Sequence, residues 1–227
     1  MSQMKPINAK QALAKLVQGN RRFVRLRRQK RALKPRDGDW LKEKPRGPFA
    51  IILSCSDSRA PAEILFDQGL GDLFVIRVAG NIVAPSQVGS VEFATTMAQA
   101  QLVVVMGHSE CGAIKATLDV IGGKASVPAE NVQAIVSRIR PHIERFASSS
   151  THDLETAWRD SVRANVLAST DHLRHGSRFL EEQIRAGKLV VIGAEYCIET
   201  GLVDFFDNPI AKSATARLKR STNFRKI

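Results

Sequence analysis

Three cysteines in 227 residues are too few to staple a small secreted module, so a hydrophobic core must hold this chain together. Long apolar runs are also missing. Phe49 to Leu53 and Leu102 to Met106 fall far short of the roughly 20 residues that cross a bilayer, and no membrane partner is expected. The sequence shows no internal repeat, no low-complexity linker and no apolar leader ahead of a small-residue cleavage site. Apolar residues make up 44% of the chain, which excludes intrinsic disorder, and the length suits one α/β domain.

Acidic residues are absent from residues 1 to 36, which hold 12 of the 34 lysines and arginines. The tail from Asn208 adds six more basic residues and again no acid. The remainder, Asp37 to Asp207, carries 16 basic and 22 acidic residues, so the formal +12 of the chain arises from two strongly basic ends on a net acidic body. Only those ends invite a polyanion; no specific nucleic-acid partner is expected. The Arg-rich start shares its composition with organelle transit peptides. Against that, Ala12, Leu13, Leu16, Val17, Phe23 and Val24 lie near helical spacing, with Asn8 as N-cap and Gly19-Asn20 as a break. Residues 1–36 are therefore expected to form a basic helical arm, residues 37–227 a single α/β domain, and the location to be cytoplasmic.

Past the arm, Phe49 to Leu53, Leu73 to Val78, Gln101 to Met106 and Leu189 to Ile192 read as buried strands, and Thr200 to Phe206 as a hairpin partner. Val88 to Ala100, Ala113 to Ile121, Val132 to Phe146 and most of Leu154 to Ala186 have helical periodicity. This alternation predicts an α/β fold: a mainly parallel β-sheet flanked by helices.

In such a sheet, ligands gather at the carboxyl ends of strands beside the point where strand order reverses. Cys55 follows the first strand directly, and His108 and Cys111 follow the third after Gly107. Two thiols and an imidazole converging on one edge make a zinc set that leaves a fourth tetrahedral position open, as catalysis requires. Simpler readings exist for each residue. Cys55 and Cys111 can be small buried hydrophobes, and Asp57 with Arg59 a surface salt bridge. Cys197 can close a purely structural site or stay inert, and the inert reading is preferred. His142, His152, His172 and His175 are expected to be solvated, and Gly122 to Ala125 to be a turn, lacking the spacing of a phosphate loop.

Cys55-Ser56-Asp57-Ser58-Arg59 followed by His108-Ser109-Glu110-Cys111-Gly112 resembles the β-class carbonic anhydrases. The likeness runs from Asn8-Ala9 through Gly19 to Phe23 and Val78 to Asn81, and on to Tyr196 and Thr200-Gly201, about nine tenths of the chain. It implies Zn2+ held by Cys55, His108 and Cys111, and an active-site dyad of Asp57 and Arg59. Asp57 becomes a fourth ligand in a closed state. It also implies a substrate pocket at Phe74, Val78, Phe93 and Gly112, shared in a homodimer or a multiple of dimers. The implied reaction is reversible hydration of carbon dioxide to bicarbonate and a proton, by attack of zinc-bound hydroxide. Carbonyl sulfide or carbon disulfide hydrolysis on the same site is the alternative within the family's chemistry, and a zinc-stabilised binding protein using its basic ends the alternative outside it. Arg46 stands where the family carries a glutamine that helps position substrate; separately, Ile52 stands where bicarbonate-inhibited members carry a tryptophan, and this second departure favours the non-allosteric subgroup.

Overall fold

The computed structural model describes residues 7–29, 47–127, 129–147 and 154–210. Arg46, His152 and the boundary between residues 36 and 37 lie outside them. Five strands form one sheet in the order β2-β1-β3-β4-β5. They are β1 Ala50–Ser54, β2 Leu73–Arg77, β3 Leu102–His108, β4 Val190–Tyr196 and β5 Val203–Asp207. The first four run parallel, and β5 returns antiparallel to β4. This is the mixed α/β sheet expected from the continuous Val/Ile/Leu runs, which suit strands buried on both faces.

Alternate residues of β1 serve opposite faces. Ala50 and Ile52 join Val104, Met106 and Ile192 in a core covered by helix α1, Ala9–Arg28. Ile51 and Leu53 face Val103, Val105 and Val191 on the other side. There they meet Val91 and Ala94 of α3 (Pro85–Met97), Val166 and Leu173 of α6 (Leu154–His175) and Leu180 of α7 (Arg178–Arg185). A third cluster caps the carboxyl ends of the strands. Cys55 and Cys111 pack there with Ile114 of α4 (Gly112–Ile121), Ile139 and Ile143 of α5 (Glu130–Ala147) and Val162 of α6. A single turn of helix, α2 (Ala62–Leu65), follows the loop after β1.

Helix α1 starts where expected: the Asn8 side chain accepts from Gln11 N, and the Gln11 side-chain oxygen accepts from Asn8 N. The expected break at Gly19-Asn20 does not occur, because the helix runs through to Arg28. Gly19 is there for close approach: a Cβ would sit 1.7 Å from the Phe66 carbonyl oxygen. Asn20 is buried and bonds across the fold, donating to Leu65 O (3.2 Å) and Gly201 O (2.9 Å) and accepting from Val203 N (3.0 Å). A polar pair that resembles a helix stop is thus a helix-to-sheet lock.

Two further readings change. The stretch from Leu154 to Ala186 is two helices, broken at Gly176 and restarted by Ser177, whose side chain accepts from Leu180 N. Gly107 does not end β3, which continues to His108 and pairs it with Tyr196 of β4. Gly107 fits mid-strand because Val166 and Val162 crowd it; a Cβ would approach Val166 to 2.6 Å.

Replacing Asn20 by Ala should destabilise the protein by about 3 kcal/mol, since it leaves buried carbonyls and an N–H without partners. Thermal unfolding should show a midpoint lowered by about 6–12 °C. An unchanged midpoint would mean the lock contributes nothing.

Candidate metal centre

The sheet changes direction of winding between β1 and β3. The chain leaves β1 for β2 on one side and crosses to β3 on the other, so a crevice opens at the carboxyl ends of these two neighbours. Register then sets the chemistry. Ser54 pairs with Met106, so Cys55 emerges from β1 beside the last residue of β3, His108. Cys111 follows as the N-cap of α4. The three candidate ligand atoms lie within 4.8 Å of one another, the one such group among the described residues, and all three residues are buried.

The group fits a tetrahedral metal. The two sulfurs are 4.0 Å apart, against about 3.8 Å for two thiolates bound to one zinc ion at about 2.3 Å. His108 Nδ1 lies 2.8 Å from the Ser109 carbonyl oxygen, which can only accept, so Nδ1 carries the proton and Nε2 presents its lone pair. That Nε2 is buried and has no hydrogen-bond partner, an expensive position for an imidazole unless a metal takes it. The Asp57 carboxylate, 3.9 Å away, is too far to satisfy it.

Asp57 is held elsewhere. Its Oδ1 accepts from Arg59 N (2.8 Å) and Nε (3.1 Å), and its Oδ2 from Nη2 (2.9 Å). Glu110 clamps the same guanidinium from the other side, accepting from Nη1 at 3.1 Å through its side chain and from Nη2 at 3.3 Å through its carbonyl. Arg77, the last residue of β2, donates to Cys55 O and Asp57 O and fixes the loop that carries both. The 3-10 turn Ala79–Asn81 contributes Gly80 N, 3.4 Å from Cys55 Sγ. Gly80 needs its freedom, with φ of +66° and a Cβ position 2.8 Å from Ile139 Cδ1. Asn165 holds this turn by donating to Gly80 O at 2.7 Å, and Trp158 Nε1 donates to Cys111 O at 3.2 Å.

These contacts set the proton affinities. Hydrogen bonding to Arg59, working against partial burial, holds the Asp57 carboxyl at about 2. The Cys55 thiol is pushed down, first by the bond from Cys111 and against burial, with His108 and Gly80 N helping. The Cys111 thiol is pushed up, first by Cys55 and then by burial. Burial opposes charge on His108, but the Cys55 sulfur, the Ser109 carbonyl and Asp57 together raise its proton affinity. Cys55 is therefore the thiolate of the pair, while the proton shared between the two sulfurs stays on Cys111 until a cation replaces it.

Residues 50–203 match the family described as Carbonic anhydrase. The chain is 34% identical to carbonic anhydrase 2 of Mycobacterium tuberculosis over 88% of its own length and 93% of that protein's. It is 36% identical to the carbonic anhydrase of Mycolicibacterium smegmatis over 69% of this chain and 74% of that one. The β-carbonic anhydrase of Coccomyxa, solved with acetazolamide, superposes with a TM-score of 0.62 at 26% identity, covering 86% of each chain. The chain belongs to the β-class carbonic anhydrase family. The tetrameric β-carbonic anhydrases of Sordaria macrospora share the fold, with a TM-score of 0.62 at 23% identity over 71% of this chain and 82% of that one.

Within this β-class fold the expected site residues separate into two sets. Cys55, His108, Cys111, Asp57 and Arg59 meet at the crevice, with Val78 packed against their apolar surround and Gly112 opening α4 beside Cys111. Phe74 and Phe93 meet each other instead, with ring centroids 6.4 Å apart, and Phe93 is 58% exposed. Cys197 is half-buried just past β4 and is not among the clustered ligand atoms. Arg77, Trp158 and Asn165 are not singled out by the sequence, and Glu110 reads only as part of the second motif, with no role of its own. Arg77 ends an apolar run that reads as a strand, but the partners that give it a role, Cys55 O and Asp57 O, lie 22 and 20 positions away.

The purified chain should bind one zinc ion, retained by Cys197→Ser and lost or greatly weakened in Cys55→Ser. Because Cys111 holds its proton more tightly than usual, zinc uptake must release it, and affinity should rise with pH. Calorimetry in buffers of different ionisation enthalpy counts the protons released. Zinc affinity independent of pH, or loss of metal from the Cys197 variant, would contradict this ligand set.

Proposed function

We propose that this protein catalyses the zinc-dependent reversible hydration of carbon dioxide to bicarbonate and a proton. The observation that carries the reading is the pairing of an open three-ligand cluster with a carboxylate held beside it by Arg59. A metal that only braced the fold would need neither Asp57 nor Arg59. Family membership supports the same reaction.

Cys55, His108 and Cys111 would hold the zinc. Once bound, zinc supplies the Lewis acidity that brings the pKa of water from about 15.7 toward 7. The protein's own residues do the rest. Asp57, kept ionised, accepts a hydrogen bond from the nucleophilic oxygen and keeps its lone pair turned toward carbon. Arg59 engages both carboxylate oxygens and so withholds Asp57 from the fourth ligand position, while Glu110 steadies the guanidinium. The start of α4 at Gly112, next to Cys111, favours negative charge on that sulfur. A Cβ at Gly112 would meet nothing within 4 Å, which supports open space there for substrate. Val78 offers the uncharged substrate an apolar wall; Phe74 and the exposed Phe93 complete it where a second subunit meets the first.

On this reading the protein is a homodimer or a multiple of dimers. Residues 1–36 are a basic arm, and 37–227 the zinc-enzyme domain. The aliphatic Ile52, fully buried in the sheet, and an Asp57 already paired with Arg59 support the non-allosteric subgroup. Cytoplasmic residence suits three free cysteines, two of which must stay reduced to bind metal. Among the described residues no helix is long and apolar enough to cross a membrane.

Stopped-flow measurement of carbon dioxide hydration tests the reading. Asp57→Asn should lower turnover at least about 100-fold while keeping zinc, the scale expected when a positioned proton acceptor is lost. Arg59→Ala should do the same by freeing Asp57 to occupy the open position. Wild-type turnover in Asp57→Asn would reduce the dyad to a structural salt bridge.

The assembly is tested separately by sedimentation. Activity should reside in a dimer or larger form, and a fully active monomer at micromolar concentration would remove Phe74 and Phe93 from the pocket.

A further inference from the structure

Away from the metal centre, an open surface cavity of about 210 Å3 lies between α5 and α6; Ile82 and Val83 in its lining are buried, while Arg138, His142 and His172 are exposed. Its polar lining comprises Ser137, Arg138 and His142 from α5 and Asn165, Ser169 and His172 from α6. No carboxylate lines it. The nearest acidic residues along both helices are engaged elsewhere, Glu144 with Arg140 and Asp171 with His175. The volume falls below the roughly 300–1,000 Å3 of pockets that enclose organic ligands of drug size, so any specific occupant is small.

The charge of the lining selects the occupant. Two imidazoles face one space closely enough that His172 works against a proton on His142, adding to the effect of burial. Arg138 uses one N–H to reach Ala134 O at 2.9 Å, and the rest of its fork remains for a ligand. A divalent cation would find two imidazoles but also a guanidinium, and these histidines join no three-ligand cluster among the described residues. An anion reverses each of these terms. It relieves the repulsion between the two imidazoles and accepts hydrogen bonds from both of them, from the guanidinium and from the two serine hydroxyls.

We propose that this cavity is a binding site for a small inorganic oxyanion of the phosphate, sulfate or bicarbonate class, held by Arg138, His142 and His172. The site is separate from the metal ligands and shares no residue with the dyad. The test is a titration of the zinc-loaded protein with sodium phosphate, sodium sulfate and sodium bicarbonate in turn, each against sodium chloride at matched ionic strength. The imidazole proton resonances of His142 and His172, assigned from His142→Gln and His172→Gln, are the readout. At least one oxyanion should move both resonances along a saturating curve, and which one saturates at the lowest concentration identifies the source. Arg138→Ala, read on both resonances, and His142→Gln, read on the remaining His172 resonance, should each weaken that binding about tenfold or more, the scale of one lost charge-assisted bond. Shifts reproduced by chloride would overturn the proposal. So would oxyanion binding that leaves these two resonances in place, or affinity unchanged in the variants.

Discussion

Ser54 lies opposite Met106 in the parallel ladder of β1 and β3, and a slip of one residue would turn every side chain of a fully buried strand to the opposite face. The cost of misplacing Ile51, Ile52 and Leu53 therefore locks the register, and the register places Cys55 beside His108. Nothing in the metal centre has to find its partner independently. Cys111 arrives three residues later, at the start of a helix whose Ile114 packs on the same cluster. The crevice is the place where the winding of the sheet reverses, so backbone and side chains leave room there.

That placement concentrates groups that repel or desolvate one another. Two thiols, an imidazole and a carboxylate share a small space, and the imidazole nitrogen that faces inward has no partner. The surrounding residues resolve the carboxylate by handing it to Arg59, which Glu110 and the loop pinned by Arg77 keep in place. A cation would resolve the sulfurs and the imidazole nitrogen. One arrangement thus explains both why the site calls for a metal and why Asp57 stands beside it without filling it.

The parts of this account that a single sequence displayed were those encoded by neighbours along the chain. Continuous apolar strands announced the parallel sheet, and polar, chemistry-bearing residues directly after β1 and β3 announced its reactive edge. Asn8 was legible as a cap because its partner, Gln11, is three residues away. Long-range contacts were not legible. Gly19-Asn20 resembles a helix stop until Phe66, Leu65, Gly201 and Val203 are brought against it. Gly107 resembles a strand end until Val162 and Val166 of α6 explain why no side chain fits. Arg77, Glu110 and Asn165 look like ordinary polar residues, and their roles depend on partners 20, 51 and 85 positions away.

The central claim is an open zinc site built from two sulfurs and one imidazole, and X-ray absorption at the zinc edge of the loaded protein addresses it most directly. The account predicts two sulfur scatterers at about 2.3 Å, one imidazole nitrogen at about 2.0–2.1 Å and one further light atom. The light-atom position should exchange for an added anionic inhibitor. A third sulfur at the zinc, or a fourth position that no added ligand can displace, would contradict it.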